Sequence, residues 1–275
     1  MMNSPSSSSM LAAFALDRDH PGFQDATYRR RRNKIAALAL AHRPGDPIEE
    51  VAYSDDEIRT WDSALEALTP LHTRYACDEF QRAWSSVGFQ KGHVPAFREI
   101  NQLLAPAGFR FEPVAGLVTP RVFMEKLADG VFLATQYMRH HSMPLYTPEP
   151  DVIHEFIGHV PLLRDPVFAE LNRQFGMATK RASDAMVEEL IRLYWYVLEF
   201  GVVGTPGNYR VIGAGLFSSF GELGHFETRA KLLPFSIEAV SQTPFDTTDY
   251  QSTLFVAKDV PTLARDLTKW LGDIS

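Results

Sequence analysis

Apolar positions recur about every 3.6 residues through most of the first hundred positions, which predicts helices joined by short loops. Tyr28–His42 is one, Ser54-Asp55-Asp56 caps a second that runs to about Tyr75, and Cys77–Val87 and Val94–Leu104 follow. From Phe109 the pattern alternates instead. Phe109–Val114 reads as a strand, Thr119-Pro120-Arg121 opens a short helix, and Val131–Ala134 reads as a second strand. Pro148-Glu149-Pro150 punctuates the chain before a helix from Asp151 to about Gly158. Asp165-Pro166 starts another helix, and Asp184–Phe200 forms a third. Glycines from Gly201 to Gly224 mark loops with short strands, and Val260–Leu271 closes the chain as an amphipathic helix. No internal repeat is visible. The expected fold is mainly α (α+β): one domain over 15–275, after a disordered serine-rich segment at 1–14.

Composition changes this picture little. The 275 residues are 45% hydrophobic and 22% charged, ordinary globular values. A formal net charge of −7 repels phosphate backbones and anionic lipid, so nucleic acid and membrane surfaces are not expected partners. The basic run Arg29–Arg32 with Lys34 leads straight into an apolar helical stretch, and reads as the solvated first turn of that helix. Cys77 is the only cysteine, which excludes an internal disulfide and a thiolate metal or iron–sulfur site. The N-terminus carries no positive charge ahead of its short apolar stretch, so a secretory signal is not expected, and no apolar run reaches a membrane span. A cytoplasmic protein is the expectation.

The candidate chemistry lies in His154-Glu155-Phe156-Ile157-Gly158-His159-Val160-Pro161. Histidines four apart lie about 40° apart around an α-helix, whereas five apart gives about 140° and about 7.5 Å of rise. Inside a regular helix those two rings diverge. Gly158 suits a left-handed helix end and Pro161 resists continuing one, so His159 is expected to leave the helix and fold back toward His154. The pair alone is equally compatible with two ordinary histidines. Glu199 tips the balance, because it lies in Leu193–Phe200, a helix so apolar that a carboxylate there needs a cation or donors. Two imidazoles and one carboxylate make the facial triad of non-haem iron(II) oxygenases. A zinc hydrolase with Glu155 as general base would want the four-residue spacing. A di-iron site would want a second Glu-x-x-His, and Glu222-Leu223-Gly224-His225 is interrupted by glycine.

Thr147–Pro161 resembles the iron-binding signature of the pterin-dependent aromatic amino acid hydroxylases. Tyr194–Gly201 is similar to that family's glutamate-ligand helix, and Gly213–Leu223 to a third family motif. Asp19–Phe23 and Pro113–Leu117 match as well, so the resemblance covers about residues 15–260 and is nearest to the short bacterial members. It implies hydroxylation of phenylalanine to tyrosine with O₂, tetrahydrobiopterin or a related reduced pterin, and iron(II) held by His154, His159 and Glu199. It also implies a monomer without the animal enzymes' regulatory domain and tetramerisation helix, served by a pterin-recycling enzyme.

The resemblance further implies that Arg139 clamps the substrate carboxylate, with Tyr146, Thr147 and Ser218 holding the polar end. Pro150, Trp195 and His154 would flank the ring. Phe123 would stack on the pterin beside Gly116, Leu117 and Val118, with Glu155 and Tyr194 near the pterin and the oxygen site. The family pattern is broken at Pro120 and Leu133, where the animal phenylalanine enzyme has serine and histidine. Trp195 and Thr247 favour phenylalanine over tryptophan or tyrosine. Without the resemblance, Arg139 reads as a surface arginine, and Phe123 and Trp195 as core. A chain that binds pterin without catalysis is a further alternative, although all three ligands are present.

Overall fold

The computed structural model describes residues 16–247 and 249–274, so the segment expected to be disordered, 1–14, lies outside the described residues. Helix accounts for 55% and strand for 10%, which bears out a mainly α fold. The long helices start on side-chain caps that answer their first free N–H groups. Ser54 accepts from Glu57 N while the Glu57 carboxylate accepts from Ser54 N at 2.7 Å, and the helix Asp55–Tyr75 follows from this reciprocal pair. Asp25, Asp165 and Asp259 cap the helices Ala26–Ala41, Pro166–Arg181 and Val260–Gly272 with side-chain acceptors alone. None of the helices in the described residues is long and apolar enough to cross a membrane.

The basic run is only partly solvated. Four consecutive arginines on a helix point in four directions, and one of them must face the protein. That one is Arg32, 3% exposed, which forks onto both oxygens of Glu149 at 3.0 and 2.9 Å and lies over the Tyr137 ring. Arg31 forks onto Glu57.

The expected strands pair. β1 (Arg110–Pro113) runs parallel to β2 (Val131–Ala134), with the helix Pro120–Leu127 as the crossover. The glycine-rich stretch supplies β3 (Val202–Thr205) and β4 (Asn208–Val211), an antiparallel hairpin. These join β5 (Lys231–Pro234) and β6 (Thr253–Ala257) in the order β4-β3-β6-β5. An extensive core binds sheets and helices together, and Trp61, Phe97 and Phe111 all meet the buried ring of Phe156, two residues beyond His154. Cys77 is part of this core, where burial holds its thiol protonated.

The helix carrying the histidines differs from expectation. It does not end at Gly158. From His154 to His159 the backbone is π-helical, with bonds from residue i to i+5, and the α-helix Val160–Arg164 continues directly from it. The wider turn brings residues five apart onto one face, so the two histidines meet without leaving the helix. Gly158 is absent from the positive-φ glycines. It is glycine because a Cβ there would stand 2.6 Å from Ala214 O, so the helix Ala214–Ser218 can lie directly on the π turn. A second π turn, Trp195–Glu199, ends the helix Asp184–Tyr194, closed by Phe200 N donating to Trp195 O at 2.8 Å.

Gly158→Ala must therefore push two backbones apart. We expect a loss of about 2 kcal/mol of unfolding free energy, typical of overpacking, measured by urea titration. Gly272→Ala, with nothing within 4 Å of the added carbon, is the control and should stay within about 0.5 kcal/mol. Equal stability of Gly158→Ala and wild type would refute the close packing.

Candidate active site

The two π turns deliver three side chains to one point. His154 Nε2 and His159 Nε2 are 3.0 Å apart, with their ring planes at 87°. Glu199 places Oε1 3.3 Å from His159 Nε2 and Oε2 3.8 Å from His154 Nε2. His154 Nδ1 meets Ser218 Oγ at 2.8 Å, and that hydroxyl lies 3.1 Å from Ala214 O. If Ser218 gives its proton to the helix carbonyl, it accepts Nδ1–H from His154, which leaves Nε2 as a bare lone pair.

Burial, the largest influence on both rings, lowers the His154 pKa to about 4 and that of His159 well below its ordinary value. Both imidazoles are therefore neutral. Burial also raises Glu199 to about 8, opposed by the Gly215 N–H. Two neutral imidazoles and a largely buried carboxyl group converging on one point fit a divalent cation, which would take the Nε2 lone pairs and favour the ionised form of Glu199.

Glu155 is a second carboxylate within reach, since its ligand atom and those of His154 and His159 all lie within 4.8 Å of one another. Its Oε1 accepts from Thr135 N at 3.0 Å and Thr135 Oγ1 at 3.2 Å. That oxygen is engaged by Thr135, whereas Glu199 faces the imidazoles with both oxygens. The donor set His154, His159 and Glu199 is thus the better fit.

Two cavities meet at this point. The larger, of about 350 Å³, is lined by Gly116, Leu117, Val118, Phe123, Glu155 and Tyr194 along with the three triad residues. Pro120 and Leu133, the two departures from the family pattern, line it too. The smaller, of about 110 Å³, is lined by Arg139, Tyr146 and Ser218. His154, Thr147, Pro150, Trp195 and Thr247 border both. Every residue singled out in the sequence for ligand contact therefore lines one cavity or the other.

Arg139 is not a surface residue. It is 3% exposed, and its Nε and Nη2 fork onto Asp151 at 2.9 and 2.7 Å. The edge expected to grip a substrate is half taken, and Nη1 keeps a long contact of 3.5 Å to Pro144 O. The Tyr194 hydroxyl donates to Asn172 Oδ1 at 2.9 Å, so this residue lends the cavity its ring and not its proton.

Asp151, Thr135, Asn172 and Gln251 went unrecognised in the sequence. Each acts through another side chain, and no spacing rule reveals that. Asp151 alone left a trace, as the acid that opens the histidine helix and accepts from His154 N at 3.1 Å.

Two imidazoles and a carboxylate between two cavities define the class of mononuclear non-haem metal enzymes. Residues 6–275 match the profile of the biopterin-dependent aromatic amino acid hydroxylases, and the chain belongs to that family. It is similar to the chloroplastic phenylalanine 4-monooxygenase of Chlamydomonas reinhardtii, 47% identical over 219 residues that make up 79% of this chain and 61% of that one. Tyrosine 3-monooxygenase of Homo sapiens is 41% identical over 249 residues, 88% of this chain and 47% of that one. The crystal structure of Chromobacterium violaceum phenylalanine hydroxylase with bound iron(III) and 7,8-dihydrobiopterin superposes with a TM-score of 0.72 at 32% identity, covering 80% of this chain and 84% of that one. The chain spans about half the length of the curated relatives it matches.

The site rests on His72, which donates Nε2–H to Phe217 O at 2.7 Å and so holds the helix that carries Ser218. Its Nδ1 is buried without a partner among the described residues, and burial lowers its pKa from 6.5 to about 4. The unfolded chain takes up this proton below about pH 6.5 and the folded chain refuses it until about pH 4. Stability from this group is complete above pH 6.5 and declines as pH falls through that window. Between pH 7.5 and 5 the loss should be about 2 kcal/mol, and His72→Gln should lack it in paired urea titrations. Parallel pH profiles would mean that His72 protonates freely in the fold.

Proposed function

We propose that the chain hydroxylates L-phenylalanine to L-tyrosine, using O₂ and tetrahydrobiopterin or a related reduced pterin, at an iron(II) held by His154, His159 and Glu199. The observation that carries this reading is the position of His154, which borders a larger and a smaller cavity at once. A reductant on one side and a substrate ring on the other would both reach the same metal. Bound there, iron(II) supplies the redox chemistry by which the pterin and O₂ deliver one oxygen atom to the ring.

The protein's own contribution is positioning and the exclusion of water. In the smaller cavity, the free edge of Arg139 meets the substrate carboxylate, and Tyr146, Thr147 and Ser218 close around the polar end. Pro150, His154 and Trp195 hold the ring against the metal. In the larger cavity, Phe123 stacks on the pterin, and the backbone of Gly116, Leu117 and Val118 gives it polar contacts. Glu155, aimed by Thr135, turns its other oxygen to the pterin, and Tyr194 walls off the oxygen side. Each turnover oxidises one pterin, so a separate reducing enzyme must restore it.

Trp195 and Thr247 support phenylalanine as substrate. The similarity to a tyrosine 3-monooxygenase makes tyrosine the second candidate, ahead of tryptophan. Iron(II) and tetrahydrobiopterin added to apo-protein should yield tyrosine from phenylalanine, with slower product formation from tyrosine and tryptophan. His154→Ala, His159→Ala and Glu199→Ala should each lose bound iron and turnover by more than ~100-fold while keeping the wild-type circular dichroism. Ser218→Ala, which removes the hydroxyl behind His154 together with a contact to the substrate's polar end, should weaken iron binding by roughly tenfold even without substrate. Peptide hydrolysis with zinc, and no hydroxylation with iron and pterin, would sink this reading in favour of a hydrolase. Pterin binding without turnover would leave a non-catalytic binder.

A further inference from the structure

Gln251 is buried beside the smaller cavity, and none of the ligand-contact roles assigned above includes it. Its Oε1 accepts Trp195 Nε1–H at 3.0 Å. Its Nε2 donates to Asp246 O at 2.7 Å and Asp249 O at 3.2 Å, and its backbone N donates to Glu222 Oε1 at 2.8 Å. The amide can be oriented in only one way. Indole nitrogen is solely a donor and the two carbonyls solely acceptors, so the oxygen must face Trp195 and the nitrogen the carbonyls.

The groups it joins are walls of the cavities. Trp195 stacks on Phe245 with ring centroids 4.4 Å apart and planes at 15°. Thr247, two residues on, borders both cavities. Two residues after Gln251 the chain enters β6, so the amide is anchored to the four-stranded sheet. One side chain thus ties the indole wall, the Phe245–Thr247 segment and the sheet into one unit. An indole N–H in such surroundings needs an acceptor, and without it the ring loses the one polar contact that fixes its angle between Phe200 and Phe245.

We propose that Gln251 is a positioning residue: it holds Trp195 against Phe245 and Thr247, and so sets which aromatic side chain the smaller cavity admits. The inference rests on the hydroxylase reading for its substrate and on hydrogen-bond geometry for its mechanism. The two are tested separately.

The first measurement is independent of activity. In a ¹⁵N-correlated spectrum of the whole chain, the Trp195 indole N–H signal is identified by its loss in Trp195→Phe. Gln251→Leu should shift that signal and speed its hydrogen exchange by about tenfold or more, the factor carried by one buried hydrogen bond. Gln251→Glu keeps the acceptor but turns an oxygen toward the Asp246 and Asp249 carbonyls, so its exchange should fall between wild type and Gln251→Leu.

The second measurement is kinetic. Gln251→Leu should bind iron as wild type does, raise the phenylalanine KM about tenfold with kcat changed less than about threefold, and reduce the preference for phenylalanine over tryptophan about tenfold. In a Trp195→Phe background, which has no indole N–H to lose, the same substitution should change these values less than about threefold. An unchanged indole signal in Gln251→Leu would overturn the proposal, and so would equal kinetic losses in both backgrounds. A wild-type chain without hydroxylase activity would instead defeat the functional reading, while the spectrum would still decide the link between Gln251 and Trp195.

Discussion

Two imidazole nitrogens 3.0 Å apart, facing a carboxylate at 3.3 and 3.8 Å, make a costly arrangement where little solvent reaches them. Where both Nε2 atoms carry lone pairs they repel, and burial makes the ionised form of Glu199 costly. A divalent cation at the centre resolves both problems. Much of the surrounding structure follows from the need to hold these groups in place before any cation arrives. Two π turns, otherwise rare, stand at His154–His159 and Trp195–Glu199 because each turns its side chains to the common point.

Holding the arrangement takes partners drawn from distant segments. Ser218 fixes His154, Thr135 fixes Glu155, Asp151 fixes Arg139, Asn172 fixes Tyr194 and Gln251 fixes Trp195. In each case a residue that can touch a ligand is oriented by one that lies behind it. The partners come from the helix Ala214–Ser218, the end of β2, the start of the histidine helix, the Pro166–Arg181 helix and the approach to β6. A displacement in any of these would reach the cavities as a rotated side chain, and positioning errors of an ångström are enough to slow a reaction severely.

Local features were legible in the chain. The capping pair of Ser54 and Glu57 announced the helix Asp55–Tyr75, and alternation announced both strands of the small parallel sheet. The triad was legible for a different reason: two histidines at an awkward spacing and a carboxylate in an apolar helix are too costly to occur without a use. What misled was charge. Arg32 and Arg139 look alike in sequence to any solvated arginine, yet each is 3% exposed and forked onto an acid more than ten positions away, Glu149 or Asp151. Sequence distance does not reveal such pairs, because they form only when packing brings the two segments together.

Gly158 shows the division most clearly. The sequence by itself called for some departure from α geometry at the histidines, since five residues of regular helix would separate the rings. It also determined the chemistry of the donor set, because residue types carry their lone pairs and charges wherever they fold. Only the tertiary structure decided that the departure is a wider turn and not a helix end, because the deciding contact is with Ala214 O, a backbone atom far along the chain. Local preference sets which turns are affordable, and packing from remote segments selects among them.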